Sequence, residues 1–181
     1  MKRRLPKVWV DARYRRKISG RLLREWAVIA LDTLDMPQKA GLEIAVVGDD
    51  EIRDLNQQYR GLDEPTDVLS FPFTPLAAPA PFYGETAAQQ PVDTAFAMPR
   101  SMGLPLGEIV IDLPYAERQA AEQAHSVHDE LRLLLVHGIL HLIGHDHYDA
   151  EEERVMQAAT KTILDKIAQS ADAAKEPGAQ L

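Results

Sequence analysis

The spacing of apolar residues along the chain predicts alternating strands and helices. Short apolar runs that predict strands occupy residues 8–10, 42–47, 67–71 and 106–112. Apolar positions recurring every three to four residues predict helices over about 19–34, 49–61, 115–124, 128–143 and 149–169. Asp49 or Asp50 is the expected N-cap of the second helix. The sum is an α+β fold, with one mixed four-stranded sheet and about five helices in a single domain spanning residues 1–170.

Two segments lack this periodicity. Residues 74–102 are rich in Ala, Pro and Gln, and a structureless connection of that length is uncommon inside a compact domain. We expect a mobile insertion there, with a functional lid as the alternative. Residues 171–181 carry no apolar stripe and are expected to form a disordered C-terminal tail.

Composition narrows the possible chemistry and location. The 181 residues include no cysteine, which excludes disulfides, thiolate metal sites and a cysteine nucleophile, and which fits a reducing cytosol. The apolar runs fall short of the roughly 18 residues that cross a bilayer. The charged start Met-Lys-Arg-Arg leads into no secretory apolar stretch. We therefore expect a cytoplasmic protein with no membrane partner.

Charge is unevenly distributed. The net charge is −8, which by itself argues against a nucleic-acid partner, yet residues 1–26 hold ten of the 20 Lys and Arg and only two acids. This basic segment has two interpretations, a surface that contacts a polyanion or a solvated strand edge and helix face. Both remain open at this point.

Histidines are concentrated near residue 140. His137 and His141 stand one helical turn apart, so both imidazoles lie on one helix face and can reach one metal ion. Gly144 follows where a helix can end in a left-handed residue. A chain reversal there brings His147 towards the same ion. The pattern predicts a metal-binding helix of the zincin type, with His137, His141 and His147 as ligands of one zinc ion.

Three protein ligands leave a fourth position open for water, which is typical of catalytic rather than structural zinc. Zinc can lower the pKa of that water to about 7 and so supply a nucleophile at neutral pH. Asp146 has two interpretations of equal weight, an acceptor that orients a ligand imidazole or a turn or capping residue.

The histidine and glycine spacing is that of metzincin peptidases, whose pattern is His-Glu-x-x-His-x-x-Gly-x-x-His. Those enzymes use the glutamate after the first histidine as general base. Gly138 occupies that position here. The lost carboxylate makes peptide hydrolysis the weaker interpretation.

The full string from His137 to His147, His-Gly-Ile-Leu-His-Leu-Ile-Gly-His-Asp-His, instead resembles the signature of the YbeY family of bacterial metal-dependent endoribonucleases. Residues 55–72, Leu-Asn-Gln-Gln-Tyr-Arg-Gly-Leu-Asp-Glu-Pro-Thr-Asp-Val-Leu-Ser-Phe-Pro, and the strand Leu-Gly-Glu-Ile-Val-Ile at 106–111 are similar to two further family segments. The likeness runs from about residue 8 to about 168. The insertion after Phe73 and the C-terminal tail depart from it.

This resemblance implies specific roles. His137, His141 and His147 would bind zinc, His137 would act in catalysis, and Arg60 would be essential to activity. A guanidinium can grip two phosphate oxygens at once, which gives Arg60 a catalytic and substrate-binding role, whereas a surface ion pair with Asp63 or Glu64 is the structural alternative. Ser70 lies in the matched block, where substrate binding and a structural strand role are both open.

The resemblance further implies cleavage of single-stranded RNA, maturation of the 3′ end of small-subunit (16S-type) ribosomal RNA, and ribosome quality control. The expected partners are single-stranded regions of ribosomal RNA and the ribosome or small-subunit assembly intermediates. Two alternatives remain: a zinc peptidase with metzincin-like spacing, and a non-catalytic ribosome assembly factor in which zinc is structural.

Overall fold

The computed structural model describes residues 5–73, 105–145 and 150–173. Along these residues the elements are β1 (Lys7–Val10), α1 (Gly20–Thr33), β2 (Gly41–Val47), α2 (Asp49–Arg60), β3 (Val68–Pro72), β4 (Pro105–Asp112), α3 (Leu113–Glu122), α4 (Val127–Leu142) and α5 (Ala150–Ala173). The predicted α+β class, with four strands and five helices, is confirmed.

The four strands form one mixed sheet in the order β1-β2-β4-β3. Strands β1, β2 and β4 run parallel, whereas β3 pairs antiparallel with β4 and places Ser70 opposite Ile109. In the sheet that the described residues form, β3 is therefore an edge strand. One face of β3 contacts α4, and the other contacts α2.

Helices cover both faces of the sheet. Because successive strand residues point to opposite faces, Ile109 and Ile111 of β4 join the core beneath α1 and α4, while Val110 joins Ile52 of α2 and Leu69 on the other face. Helix α5 packs on α1 and α4 rather than on the sheet. The domain thus places α4 and the end of α2 on opposite sides of the edge strand β3.

Two predictions about helix ends need correction, beyond shifts of one or two residues at the ends of other elements. Gly48, not Asp49 or Asp50, is the N-cap of α2, and both aspartates stand in the first turn, where carboxylates favour the positive end of the helix dipole. Helix α5 continues to Ala173, so residues 171–173 of the predicted tail are helical. Residues 74–102 and the remainder of that tail lie outside the described residues. Among the helices that the structure describes, none is long and apolar enough to cross a membrane.

A buried carboxylate joins the sheet to α3. Asp112, at the end of β4, is fully buried and its Oδ1 accepts the Tyr115 N–H at 3.1 Å, which caps the helix. Burial raises the pKa of Asp112 to about 7, and the negative charge of nearby Asp49 adds to the effect. Asp49 itself is held by Arg118, with Nη2 2.5 Å from its Oδ1.

Asp112→Asn is expected to stabilise the protein above neutral pH. An acid whose pKa is raised on folding binds a proton in the folded state that the unfolded chain releases, so stability falls as pH rises from about 4 to about 7. Asparagine keeps the capping oxygen and never ionises. Urea unfolding should show the variant more stable by at least about 1 kcal/mol at pH 8, with the difference shrinking towards pH 4. An equal difference at both pH values would contradict the shifted pKa.

Candidate functional site

Helix α4 carries the first two predicted metal ligands and ends as predicted. Gly144 adopts a left-handed conformation with φ of 90°. The Gly144 N–H donates to the His141 carbonyl and the His145 N–H to the Leu140 carbonyl, both at 3.0 Å. This is the Schellman arrangement that closes a helix at glycine. The chain turns immediately beyond the second histidine, as the spacing requires.

His137 and His141 converge. Their Nε2 atoms lie 2.9 Å apart, and the ring planes meet at 81° with centroids 4.3 Å apart. Two zinc–nitrogen bonds at a tetrahedral angle would separate the nitrogens by about 3.3 Å, only a few tenths of an ångström more. Both side chains are half-buried. The pair therefore fits a metal ion that accepts imidazole nitrogen.

The described residues place no third metal ligand beside His137 and His141. Within residues 5–73, 105–145 and 150–173, no three His, Asp or Glu side chains form a group that could hold a metal. His147 and Asp146 lie outside the described residues, in the short segment 146–149 between α4 and α5. The structure thus brings together two predicted ligands, and the roles of His147 and Asp146 stay predictions.

Gly138 has a packing role that the sequence did not reveal. A Cβ at this position would lie 3.0 Å from Ile109 Cγ2 and 3.1 Å from Ser70 Oγ. These contacts are tighter than ordinary van der Waals packing, so α4 approaches β3 and β4 as closely as it does because residue 138 has no side chain. A glutamate, as in the metzincin pattern, would require α4 or the Ile109 and Ser70 side chains to shift.

Gly138→Ala is expected to destabilise the fold by about 1–3 kcal/mol through overpacking. Gly20→Ala is the matched control, because a Cβ there meets Val8 Cγ1 at an ordinary 3.4 Å. Urea unfolding of both variants tests the difference. Equal stability of the two would show that α4 has room to move away from the sheet.

Ser70 lies on the face of β3 that meets α4. Its Oγ is 3.4 Å from the Gly138 carbonyl oxygen and the side chain is half-buried. The hydroxyl donates, at this long distance, to the backbone beside the first predicted ligand. Ser70 thereby links the edge strand to the helix that bears the histidines, which accounts for its place in the motif. A direct contact with substrate stays a prediction.

Arg60 is the last residue of α2, exposed, and followed by Gly61 in a left-handed conformation with φ of 73°. Asp63, one of its predicted ion-pair partners, lies 3.6 Å from Arg53 Nε. The neighbouring Tyr59 ring contacts the Phe71 ring, with centroids 4.8 Å apart. Since Ser70 contacts α4 and Phe71 contacts α2, consecutive residues of β3 connect the two halves of the predicted site.

A cleft of about 650 Å³ lies between α4 and α5, with His137 in its wall. Its apolar side chains are Leu133, Met156 and Leu164, and its polar or charged ones are Glu153, Gln157, Thr160, Lys161 and Asp165. Of these lining residues, sequence reasoning had assigned only His137 to a site. The spacing of apolar residues over 149–169 predicted only that one side of α5 is buried. No local pattern shows which residues of two packed helices border a groove.

Four basic residues of the N-terminal segment pair with acids within the described chain. Arg13 bonds Asp11 and Glu51, and Lys17 lies 2.7 Å from Glu117. Four other members bond an acid or a backbone carbonyl: Lys7 with Glu43, Arg21 with Glu25, Arg15 with the Val10 carbonyl, and Arg24 with the Pro6 carbonyl. These pairs favour the structural interpretation of this segment over a polyanion contact.

Comparison with known proteins gives a consistent result. A family model described as Endoribonuclease YbeY matches residues 11–168. Proteins named Endoribonuclease YbeY from Dehalococcoides mccartyi and Aquifex aeolicus are 37% identical over 151 residues and 35% identical over 157 residues. The alignments cover 83% of this chain and 83% of the first relative, and 86% of this chain and 89% of the second.

A third relative of the same name, from Geobacillus thermodenitrificans, is 39% identical over 146 residues, covering 81% of this chain and 82% of its own. The solution structure of a Thermotoga maritima protein matches with a TM-score of 0.58 at 23% identity, over 97% of this chain and 100% of the other, which shows a common fold. The family match spans all of β2 to α4 together with the residues that carry the predicted site. The chain therefore belongs to the YbeY endoribonuclease family.

Proposed function

We propose that this protein is a zinc-dependent endoribonuclease that hydrolyses phosphodiester bonds in single-stranded RNA, with one zinc ion held by His137, His141 and His147. The observation that carries the proposal is the convergence of His137 Nε2 and His141 Nε2 to 2.9 Å beside the cleft between α4 and α5. Family membership supports RNA as the substrate class.

In the proposed reaction, the histidine ligands, Asp146, Arg60 and Ser70 have separate roles. Bound zinc supplies Lewis acidity that brings the pKa of water to about 7. The ring nitrogens of His137 and His141 are held in position because α4 packs closely against the sheet at Gly138. Asp146, which lies outside the described residues, would accept a hydrogen bond from a ligand imidazole and fix its orientation. Arg60 would grip the scissile phosphate and stabilise the charge that develops on it, and Ser70 would contribute to substrate binding.

Family membership supports a proposal for the cellular role. We infer maturation of the 3′ end of small-subunit ribosomal RNA and ribosome quality control in the cytoplasm, with the ribosome or its small-subunit assembly intermediates as partners. The cysteine-free composition is compatible with that compartment.

Two alternative functions are weaker. A peptidase of the metzincin type needs a carboxylate at position 138, where even a Cβ would lie 3.1 Å from Ile109 Cδ1. In a non-catalytic assembly factor the zinc would be structural, and structural zinc is normally bound by four protein ligands. The described residues bring together two candidate ligands, His137 and His141.

The direct test incubates the zinc-loaded protein with three substrates, a single-stranded RNA, the same RNA in a duplex, and a denatured protein. We expect cleavage of the single strand, slower cleavage of the duplex and none of the protein. Products with a 5′-phosphate and a 3′-hydroxyl support water as the nucleophile, whereas a 2′,3′-cyclic phosphate would assign attack to the RNA 2′-hydroxyl. Cleavage of the denatured protein alone would replace the proposal with the peptidase alternative.

A further inference from the structure

Three aromatic side chains belong to the end of α2 and to β3 with the residue after it, and we call them the aromatic face: Tyr59, Phe71 and Phe73. Phe71 packs with Ile52 on the α2 side of the sheet, and Phe73 follows β3 at a bend. The Tyr59 ring leans on the Phe71 ring at 57° with centroids 4.8 Å apart. Tyr59 is 42% exposed and Phe73 is 51% exposed.

Pairing with β4 and a backbone hydrogen bond fix the chain that carries Phe71 and Phe73. Pro72 is in register with Gly107, and the Phe73 N–H donates to the Leu106 carbonyl at 3.1 Å. Tyr59 stands in the last turn of α2, whose Ile52 is fully buried against the sheet. Tyr59 packs against Phe71 yet stays 42% exposed, so its ring loses little freedom when a flat ligand stacks on it.

The charge of the surrounding surface indicates what such a ligand is. The loop after Arg60 carries exposed Asp63 and Glu64, and Asp63 lies 3.6 Å from Arg53 Nε. These two acids disfavour tracking a phosphate backbone by electrostatics alone. Stacking on a nucleobase needs no positive charge, and Arg60, next to Tyr59 in sequence, offers a cation for one phosphate.

We propose that the aromatic face stacks unpaired bases of the RNA strand whose scissile phosphate lies at Arg60, and that it makes the enzyme selective for single strands. In a duplex the base faces are covered by neighbouring pairs, whereas an unpaired base can leave its stack and lie on Tyr59 or Phe73. The inference rests on the proposed endoribonuclease function and deepens it by assigning the side chains that recognise the single strand.

Tyr59→Leu and Phe73→Leu test the proposal, because leucine keeps apolar volume and removes the ring. Trp9→Leu is the matched control, since Trp9 is also 51% exposed but lies on β1, at the opposite end of the sheet. For single-stranded RNA we expect KM to rise about 5- to 150-fold in the first two variants, the range that base–aromatic stacking spans. We expect no change in Trp9→Leu and an unchanged KM for duplex RNA.

An abasic substrate separates stacking from a structural role. A single-stranded RNA lacking the bases next to the cleavage site should bind the unmodified enzyme and Tyr59→Leu equally weakly, because the base that would stack is absent. A KM rise that persists on the abasic RNA, or a Tyr59→Leu variant that unfolds at lower temperature with an unchanged KM, would overturn the proposal. So would a dimer that dissociates on Tyr59→Leu without a change in KM, because a second copy would then cover the rings.

Failure of the proposed function gives a different result. If the unmodified enzyme cuts no RNA, that function is wrong, and the aromatic face falls with it as a substrate site. If the enzyme cuts single-stranded RNA and both leucine variants keep their KM, only the present inference is overturned.

Discussion

His141→Ala should abolish zinc binding and lower the rate of RNA cleavage by about 1,000-fold or more. The Nε2 atoms of His137 and His141 lie 2.9 Å apart, so removing either imidazole removes one of two nitrogens that converge on the same point. Metal-ion catalysis is worth several kcal/mol of transition-state stabilisation, and each factor of ten in rate corresponds to about 1.4 kcal/mol. Zinc content by mass spectrometry and cleavage of a single-stranded RNA measure the two effects.

His128→Gln is the control on the same helix. His128 is exposed, and its ring lies edge-on to Trp26 with centroids 6.1 Å apart, far from the convergent pair in sequence. It should keep both zinc and activity. A His141→Ala protein that retains full zinc content while losing activity would show that the ion is held elsewhere. If zinc is lost from a folded His141→Ala protein and cleavage persists, the metal has no part in catalysis.

Arg60→Ala is expected to lower kcat by about 100- to 1,000-fold, the usual cost of removing a group that stabilises transition-state charge. The arginine is the last residue of α2 and is exposed. Arg60→Lys should recover only part of the activity, because an ammonium group cannot make the planar bidentate contact of a guanidinium. Steady-state kinetics on one RNA substrate compares the three proteins.

Arg53→Ala provides the matched control, since Arg53 lies on the same helix, is exposed, and stands 3.6 Å from Asp63 and 3.8 Å from Asp50. Surface ion pairs of this kind contribute little, about 0–1 kcal/mol. Its kinetics should match those of the unmodified enzyme. An Arg60→Ala variant with unchanged kcat and a raised KM would limit Arg60 to holding the strand.

Local signals predicted the fold class and the helix that carries the histidines. The i, i+4 spacing of His137 and His141 places both on one face by helix geometry alone, and Gly144 ends α4 in the left-handed conformation that its position predicted. The N-cap of α2 was missed because Gly48 offers no side chain to recognise, while Asp49 and Asp50 resemble caps. The extra turn of α5 was missed because Ala and Asp at 171–173 carry no apolar stripe.

The contacts that complete the site could not be predicted because they join residues far apart in sequence. The absence of a glutamate at Gly138 argued against a peptidase, but the reason for glycine requires Ile109 and Ser70, on two different strands. The cleft between α4 and α5 and the Tyr59–Phe71 ring contact likewise arise only when helices and sheet pack together. Periodicity identifies which residues are buried, and tertiary packing decides which ones meet.

In the proposed site, three histidines hold one zinc ion. A crystal structure of the zinc-loaded protein, with anomalous diffraction measured on both sides of the zinc absorption edge, tests it most directly. We expect one peak per chain, about 2.0–2.1 Å from the Nε2 atoms of His137 and His141, with His147 as the third protein ligand and no fourth. A peak away from α4, or one closed by four protein ligands, would contradict the account.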